Sequence, residues 1–225
     1  MASLSTYTKP IYTQLLCALA ILCVLPVPIA EAQPTAPLNN VFRRILDSDD
    51  EEPPLISRGD LCLIAPATAG VGTPAIWHEQ PVMVFQPGSI EKLALRNEAT
   101  NVVFWEYYPS STTHHVVYDG EPLQSEVIYR LDVYLDAEAD RPTTFPDFRL
   151  LPEFSRQHIS EALAMNATPK DTDLSAAHWT AIQRADYFVE QGMRLDAIQA
   201  LFNVDVPSAE LATLQQQLIE SICKN

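Results

Sequence analysis

Apolar and polar side chains alternate along residues 127–135, VIYRLDVYL, and this alternation predicts a β-strand with one buried face. Further short apolar segments, separated by Pro, Gly, Asn or Ser, follow one another between residues 61 and 151 and leave no room for crossover helices. We therefore expect an immunoglobulin- or fibronectin-like β-sandwich over residues 59–151. Its predicted strands are 61–66, 81–86, 90–97, 102–108, 114–120, 127–135 and 143–151.

The predicted strand at 127–135 carries a tyrosine near its start, and Leu123 precedes Tyr129 by six positions. This spacing resembles the tyrosine corner of fibronectin-type modules, in which the phenol hydroxyl bonds back to the backbone of the preceding corner. An ordinary buried strand tyrosine is the alternative. Trp105 lies on the third or fourth predicted strand, where such sandwiches often carry a central indole.

The hydrophobic period changes from two to that of a helix after Pro152. One apolar stripe of a helix follows Ser208, which has the position of an N-cap. The stripe consists of Leu211, Leu214, Leu218 and Ile222. The pattern predicts three further helices, at 153–166, 175–192 and 194–202, the second with an apolar face of Trp179, Ile182, Ala185 and Val189 and a C-terminal Gly192. The fold class is therefore α+β, with a bundle of three or four helices over residues 152–225.

The order of small and large residues from Ala185 to Leu201 resembles the packing pattern of a tetratricopeptide helix pair. Tyr187, Gly192 and Ala197 are part of this pattern. Only one such unit is visible, whereas a free repeat array needs about three for stability. We expect a single helical hairpin that packs on or beside the sandwich.

The first residues have the pattern of a targeting signal. Lys9 precedes an apolar run at 14–30, which ends at the small-x-small triplet Ala30-Glu31-Ala32. A membrane span is the alternative, but Pro26 and Pro28 interrupt the run. Residues 1–32 are thus a predicted cleavable signal peptide, which implies a secreted or periplasmic protein with no stable membrane insertion after cleavage.

Residues 33–58 are rich in proline and acidic side chains and predict a disordered linker. The formal net charge of the chain is −15, which argues against a nucleic-acid partner because such partners need a basic surface. Two cysteines remain outside the signal peptide, Cys62 and Cys223, and in an oxidising compartment we expect them to form a disulfide. Two free buried thiols are the alternative.

Motifs for catalysis are missing: the sequence has no G-x-S-x-G elbow, no phosphate-binding glycine loop and no H-E-x-x-H pair. His114 and His115 are adjacent, but no third ligand stands at a recognisable spacing. We predict no catalytic residue, metal or cofactor. The strand alternation directs Tyr108 and Tyr134 outward, which makes them the candidate ligand or partner surface.

Four segments in this order, LCLIAP, IWHEQPVMVFQ, VVYDGEPLQSEVIYRLDVYL and QRADYFVEQGMRLDAIQALF with a final Cys223, resemble an uncharacterised family of secreted proteins common in photosynthetic bacteria. The resemblance covers residues 57–225 and departs from the family where CLIAP replaces a Cys-Pro pair. It implies a β-sandwich followed by a helical tail, and an exported protein, but no activity.

The sequence as a whole favours a secreted, non-enzymatic interaction or structural module of the cell envelope, whose partner is another envelope or secreted protein. The alternative is a carbohydrate-binding module or an enzyme that uses exposed aromatic residues of the sandwich face, because such residues stack on sugar rings. The pattern does not indicate an oligomeric state.

Overall fold

A computed structural model describes residues 36–47, 56–58, 61–66, 72–144, 146–166 and 176–224. The predicted signal peptide at 1–32 lies outside these residues. No helix in the described ranges is long and apolar enough to span a bilayer.

Both strands and helices are present, which confirms the α+β class. The strands are β1 (Ile56–Arg58), β2 (Leu61–Ala65), β3 (Ala75–Ile76), β4 (Val82–Phe85), β5 (Lys92–Asn97), β6 (Val102–Tyr107), β7 (His115–Val117), β8 (Ile128–Tyr134) and β9 (Asp147–Leu150). The helices are α1 (Ala36–Leu46), α2 (Glu153–Asn166), α3 (Ala176–Glu190), α4 (Arg194–Phe202) and α5 (Ala209–Cys223). The sequence pattern predicted every described element except β1, β3 and α1.

The described strands form two sheets. The first sheet has the order β1-β2-β4-β7 and is antiparallel throughout. The second has the order β3-β9-β8-β5-β6 and is antiparallel except where β3 runs parallel to β9. The chain passes from one sheet to the other several times, so both sheets depend on contacts between residues far apart in sequence.

Strands β2 and β4 of the first sheet are buried at every position. On β2, Leu61 and Leu63 belong to the core between the two sheets, whereas Cys62 and Ile64 belong to a second core beneath the helices. The first sheet is therefore the middle layer of three. This position explains why the segments LCLIA and VMVF are apolar at each residue, as expected for strands that are covered on both faces.

Helices α4 and α5 pack over the outer face of this middle sheet, and α3 packs on α4 within the same core. In α5 the predicted stripe is buried, and the hydroxyl of Ser208 accepts a hydrogen bond from the Leu211 N–H at 3.2 Å, which confirms the predicted N-cap. Helix α3 differs from the expected stripe, since it buries Ala181, Ile182, Ala185 and Phe188, and Trp179 and Val189 are only partly buried. The buried face of α3 is rotated from the predicted one because α3 contacts both α1 and α4.

Part of the expected linker at 33–58 is ordered, so the prediction of disorder is wrong for residues 36–46. These residues form α1, whose Leu38, Val41 and Ile45 are at most 2% exposed and join the helical core. The spacing of the three side chains, i, i+3 and i+7, places them on one helix face. Most of the acidic stretch that follows lies outside the described residues.

Cys62 of β2 and Cys223 of α5 form the predicted disulfide, with an S–S distance of 2.08 Å. The bond joins residues 161 positions apart and ties the last helix to the middle sheet. Cys62 is 1% exposed and lies within the helical core. The disulfide therefore crosses the boundary between the predicted sandwich and the predicted helical region.

Removal of this disulfide should lower the free energy of unfolding. The loss of chain entropy in the unfolded state for a loop of this length is worth at most about 5 kcal/mol, and native disulfides typically contribute about 2–5 kcal/mol. We expect the Cys62→Ala/Cys223→Ala variant to unfold at a lower denaturant concentration than the oxidised protein. The fully reduced wild type, held in excess dithiothreitol, should unfold close to the variant. Identical unfolding curves with and without reductant would contradict a stabilising role for the disulfide.

Candidate functional site

A group of exposed apolar side chains lies along one edge of the second sheet. Strand β6 is the last strand of that sheet, and none of the described strands pairs with its outer side. Val102 is 57% exposed, Phe104 is 42% exposed and Tyr108, which follows the strand, is 59% exposed. We call residues 102–108 the β6 edge. Large apolar side chains grouped on an edge strand, which has one unpaired side, are a feature of interaction sites and also of aggregation sites.

A β-bulge interrupts the pairing of β6 with β5. Leu95 pairs with Trp105 and Arg96 pairs with Val103, so Phe104 is the extra residue. The rings of Phe104 and Trp105 both approach Tyr118, with centroid distances of 6.2 and 5.7 Å. A bulge changes the direction of the side chains on its strand, and here it allows two consecutive aromatic residues to contact the same ring.

Trp105 connects the edges of the two sheets. Its indole Nε1 donates a hydrogen bond to Asp119 Oδ1 at 2.7 Å, and Asp119 lies just after β7, the edge strand of the first sheet. The Tyr107 ring is parallel to the indole within 5°, with the centroids 5.9 Å apart. Tyr118 is 3% exposed and is packed beneath them. Trp105 and Tyr107 of the β6 edge are thus half-buried rings that are fixed by the surrounding packing.

Carboxylates surround these rings. Asp119 and Glu121 are exposed, and together with burial and Tyr129 they raise the pKa of the Tyr118 phenol, with burial as the largest cause. Glu106 of β6 has a side chain that is 46% exposed. The aromatic rings at this edge therefore lie within a negative potential.

Of the predicted surface pair, Tyr108 is exposed, but the predicted exposure of Tyr134 is wrong. Tyr134 is 6% exposed, and the Lys92 ammonium lies 4.1 Å from the centroid of its ring. The segment that contains Thr144 pairs with Val133 and also lies against this part of β8. The alternation correctly placed Tyr134 on the outer face of the sheet, but Lys92 and the segment that contains Thr144 cover its ring there.

Tyr129 makes the kind of hydrogen bond expected of a corner tyrosine. Its hydroxyl accepts a hydrogen bond from the Gln124 N–H at 2.8 Å, and both Leu123 and Tyr129 are 5% exposed. Burial raises the pKa of the Tyr129 phenol, while the bond from Gln124 opposes that rise. The interaction fixes the turn that leads into β8.

An ion cluster on the outer face of the second sheet was not foreseen from the sequence. Asp132 has no exposed surface and accepts hydrogen bonds from Arg96 and Arg130 at 2.8–3.0 Å. Arg130 also forms an ion pair with Glu98 at 3.1 Å. The alternation placed Asp132 among solvent-facing positions, whereas two guanidinium groups cover it. Each of these charges has a partner of opposite sign, so the cluster is a structural network of ion pairs.

A second unforeseen cluster lies between the helices and the segment that precedes β4. Asp196 Oδ1 on α4 accepts a hydrogen bond from the Trp77 N–H at 2.8 Å and lies 2.9 Å from His78 Nδ1. Gln199, one helical turn later, accepts a hydrogen bond from the Val82 N–H at 3.0 Å. His78, Asp196 and Gln199 are at most 5% exposed. Asp196 and Gln199 thus serve as side-chain acceptors for backbone N–H groups before and at the start of β4, and His78 pairs with Asp196.

The His78–Asp196 pair resembles the base and orienting carboxylate of hydrolytic triads. Within the described part of the chain, however, no group makes a hydrogen bond with His78 Nε2, so no nucleophile is in place. The imidazole is enclosed by Trp77 and Phe188, whose ring centroids lie 5.0 and 5.8 Å away. A buried pair of this kind fits a role in joining α4 to the sheet.

His114 and His115 lie together, with ring centroids 4.8 Å apart, and both contact the Phe202 ring of α4. Burial, and secondarily the charge of His114, lowers the pKa of His115 to about 4. In the described ranges, no three His, Cys, Asp or Glu side chains are grouped so that they could hold a metal ion.

Comparisons of the chain with protein-family models, curated proteins and solved structures found no match. The β6 edge is the described region that best combines exposure, rigid aromatic groups and charge.

Substitution of Asp196 by alanine should destabilise the fold. The change removes the acceptor for the Trp77 N–H and the partner of the buried His78 imidazole, at a cost of about 3 kcal/mol. Asp196→Asn keeps one acceptor oxygen and should cost less than Asp196→Ala. We expect both losses in the free energy of unfolding measured with urea. Asp205→Ala, on the exposed loop before α5, is the control and should change this energy by less than about 0.5 kcal/mol. Equal effects of Asp196→Ala and the control would contradict the role assigned to this pair.

Stability should fall as the pH is lowered from about 6.5 toward 4, in part because of His115. Its pKa in the folded state, about 4, is below the ordinary value of 6.5, so within this range the unfolded chain binds the proton more strongly. After allowance for its partial exposure, we expect the contribution to be about 1–2 kcal/mol. His115→Gln should reduce the slope of unfolding free energy against pH in this window. His158→Gln, an exposed histidine on α2, is the control; equal slopes in the two variants would refute the prediction.

Proposed function

We propose that this protein is an exported, non-enzymatic interaction module that binds another protein of the cell envelope through the β6 edge. The observation that carries this proposal is the group of exposed side chains at Val102, Phe104 and Tyr108, on a strand whose outer side pairs with no described strand. Such a surface is costly to leave in water, and it becomes favourable when a partner covers it.

Export is supported by two features. The sequence pattern at 1–32 is that of a cleavable signal peptide. The Cys62–Cys223 disulfide fits an oxidising compartment such as the periplasm or the cell exterior. A stabilising disulfide suits a module that folds and works outside the reducing cytosol.

The strand pairing supports an immunoglobulin- or fibronectin-like interpretation of the two sheets. If β4 to β9 are equated with strands B, C, C′, E, F and G, then B pairs with E, C pairs with F, and F pairs with G. The corner hydrogen bond of Tyr129 then lies at the start of strand F, where these modules carry it. On this interpretation the β6 edge is strand C′, an outer strand open to a partner.

The α3–α4 pair is interpreted as a tetratricopeptide-like hairpin. Ala185 and Ala197 have no exposed surface, and Gly192 between the helices has φ 70°, so small residues stand at the close contacts of the pair. We propose that the hairpin caps the middle sheet, since Ala197, Ile198 and Leu201 are part of the helical core. The resemblance to a secreted family of photosynthetic bacteria is in keeping with this architecture and export.

Carbohydrate binding is the second candidate. Trp105 and Tyr107 have parallel rings beside the carboxylate of Asp119, and aromatic rings with a nearby hydrogen-bonding group suit sugar recognition. This candidate uses the same edge but predicts a different ligand, so variants along this edge distinguish the two.

Polar substitutions at the β6 edge should abolish partner binding and leave the fold intact. We expect Phe104→Ser/Tyr108→Ser, used as bait in an envelope fraction from the source cells, to lose a protein that the wild type retains. Phe154→Ser is the matched control, because Phe154 is an aromatic residue that is 82% exposed on α2. Thermal unfolding of all three proteins should differ by only a few degrees, as expected for surface changes.

Equal capture by the wild type and the edge variant would contradict the proposed function. Binding of the wild type to a glycan array, lost in Trp105→Ala and Tyr107→Ala, would instead favour the carbohydrate candidate. A protein captured by the wild type and Phe154→Ser but not by the edge variant is the result that supports an interaction module.

A further inference from the structure

We propose that the β6 edge binds an extended, lysine- or arginine-bearing peptide segment, which adds to the second sheet as a strand beside Trp105–Tyr108. This inference rests on the proposed function and names the chemistry of the partner. It follows from three features of the edge: a regular stretch of backbone, an aromatic group on each face, and a carboxylate beside each aromatic group.

The backbone beyond the bulge is suited to strand addition. Trp105, Glu106 and Tyr107 pair in unbroken register with Leu95, Ala94 and Leu93 of β5. Alternate N–H and C=O groups of an edge strand point away from the sheet and are available to a new strand. The bulge at Phe104 ends this regular stretch on one side, so it also fixes where an added strand begins.

Side chains alternate between the two faces of this stretch. Trp105 and Tyr107 lie on the face toward the interior of the sheet pair, where Asp119 is hydrogen-bonded to the indole. Glu106 lies on the opposite face, which Tyr108 also reaches by alternation. Each face of an added strand therefore meets an aromatic ring and a carboxylate, and both groups attract a cationic side chain.

The cations near the edge do not neutralise these carboxylates fully. Lys92 is 3.9 Å from Glu106, at the limit of an ion pair, and its ammonium lies over the Tyr134 ring. Arg96 and Arg130 are held by the buried Asp132. With a net charge of −15 on the whole chain, the edge attracts a positively charged segment at long range as well as in contact. The Lys92–Tyr134 pair shows that a cation already packs on an aromatic ring of this same sheet.

Other occupants fit less well. A helix satisfies its own backbone groups and leaves the outer N–H and C=O of β6 without partners. A second copy of this chain brings Glu106 and Asp119 against the same residues, and like charges placed opposite each other are destabilising. An acidic peptide meets the same repulsion. A basic extended segment satisfies both the backbone and the charge of the edge.

The test uses two synthetic nine-residue peptides with the ¹⁵N-labelled mature chain. One alternates threonine and lysine, and the other alternates threonine and glutamate. We expect the lysine peptide to shift the amide resonances of residues 102–108, to bind more weakly as salt is added, and to bind at least tenfold more weakly to Glu106→Gln/Asp119→Asn. The control Glu138→Gln/Asp140→Asn removes the same charge from the exposed β8–β9 loop and should bind like the wild type.

The inference is overturned if the lysine peptide fails to bind, if its shifts fall outside the β6 edge, if the glutamate peptide binds equally well, or if the two charge variants behave alike. The proposed function has a separate readout, the protein lost by Phe104→Ser/Tyr108→Ser in the capture experiment. Loss of that protein without binding of the lysine peptide retains the interaction module and rejects this partner chemistry. Absence of both effects rejects the two proposals together.

Discussion

The burial of the middle sheet on both faces is the constraint on which the rest of the structure depends. Strands β2 and β4 contact the second sheet through one set of side chains and the helices through the other, so neither strand has a position that tolerates a charge. Because the two cores share these strands, the helices and the second sheet stabilise each other through them. The disulfide from Cys62 to α5 lies within this layer and keeps the last helix against it in every state that retains the bond.

The same burial leaves backbone N–H groups before and at the start of β4 in need of acceptors. Asp196 and Gln199 of α4 accept the N–H groups of Trp77 and Val82. A buried backbone donor without an acceptor costs about 1–3 kcal/mol, so these two side chains are as structural as any leucine in the core. Their presence on α4 explains why a helix with nearly every residue buried still carries polar side chains. A role in joining α4 to the sheet also accounts for the burial of the His78–Asp196 pair.

Much of the fold follows from local patterns, and the parts that do not are those set by contacts distant in sequence. Short apolar segments bounded by Pro, Gly, Asn or Ser predicted β2 and β4 to β9, and the helical stripe that follows Ser208 predicted α5. β1 and β3, with the sequences ISR and AI, do not form apolar segments of that kind. Alternation placed Asp132 and Tyr134 on the outer face, but only the folded sheet shows that two arginines and Lys92 cover them. Of the candidate site, Tyr108 was foreseen, whereas the approach of Asp119 to Trp105 depends on the sheets coming together.

An exposed apolar strand edge promotes the aggregation of β-proteins. The features of the β6 edge that oppose aggregation are also the ones that determine which partner it could bind. The bulge at Phe104 shortens the regular part of the edge, and exposed carboxylates beside it repel a second copy of the chain. A protein under selection only for solubility would be expected to replace Val102 and Tyr108 by polar residues, because both side chains are more than half exposed and belong to neither core. Exposed aromatic side chains on a strand with features that oppose self-association are in keeping with the proposal that a different, oppositely charged segment binds there.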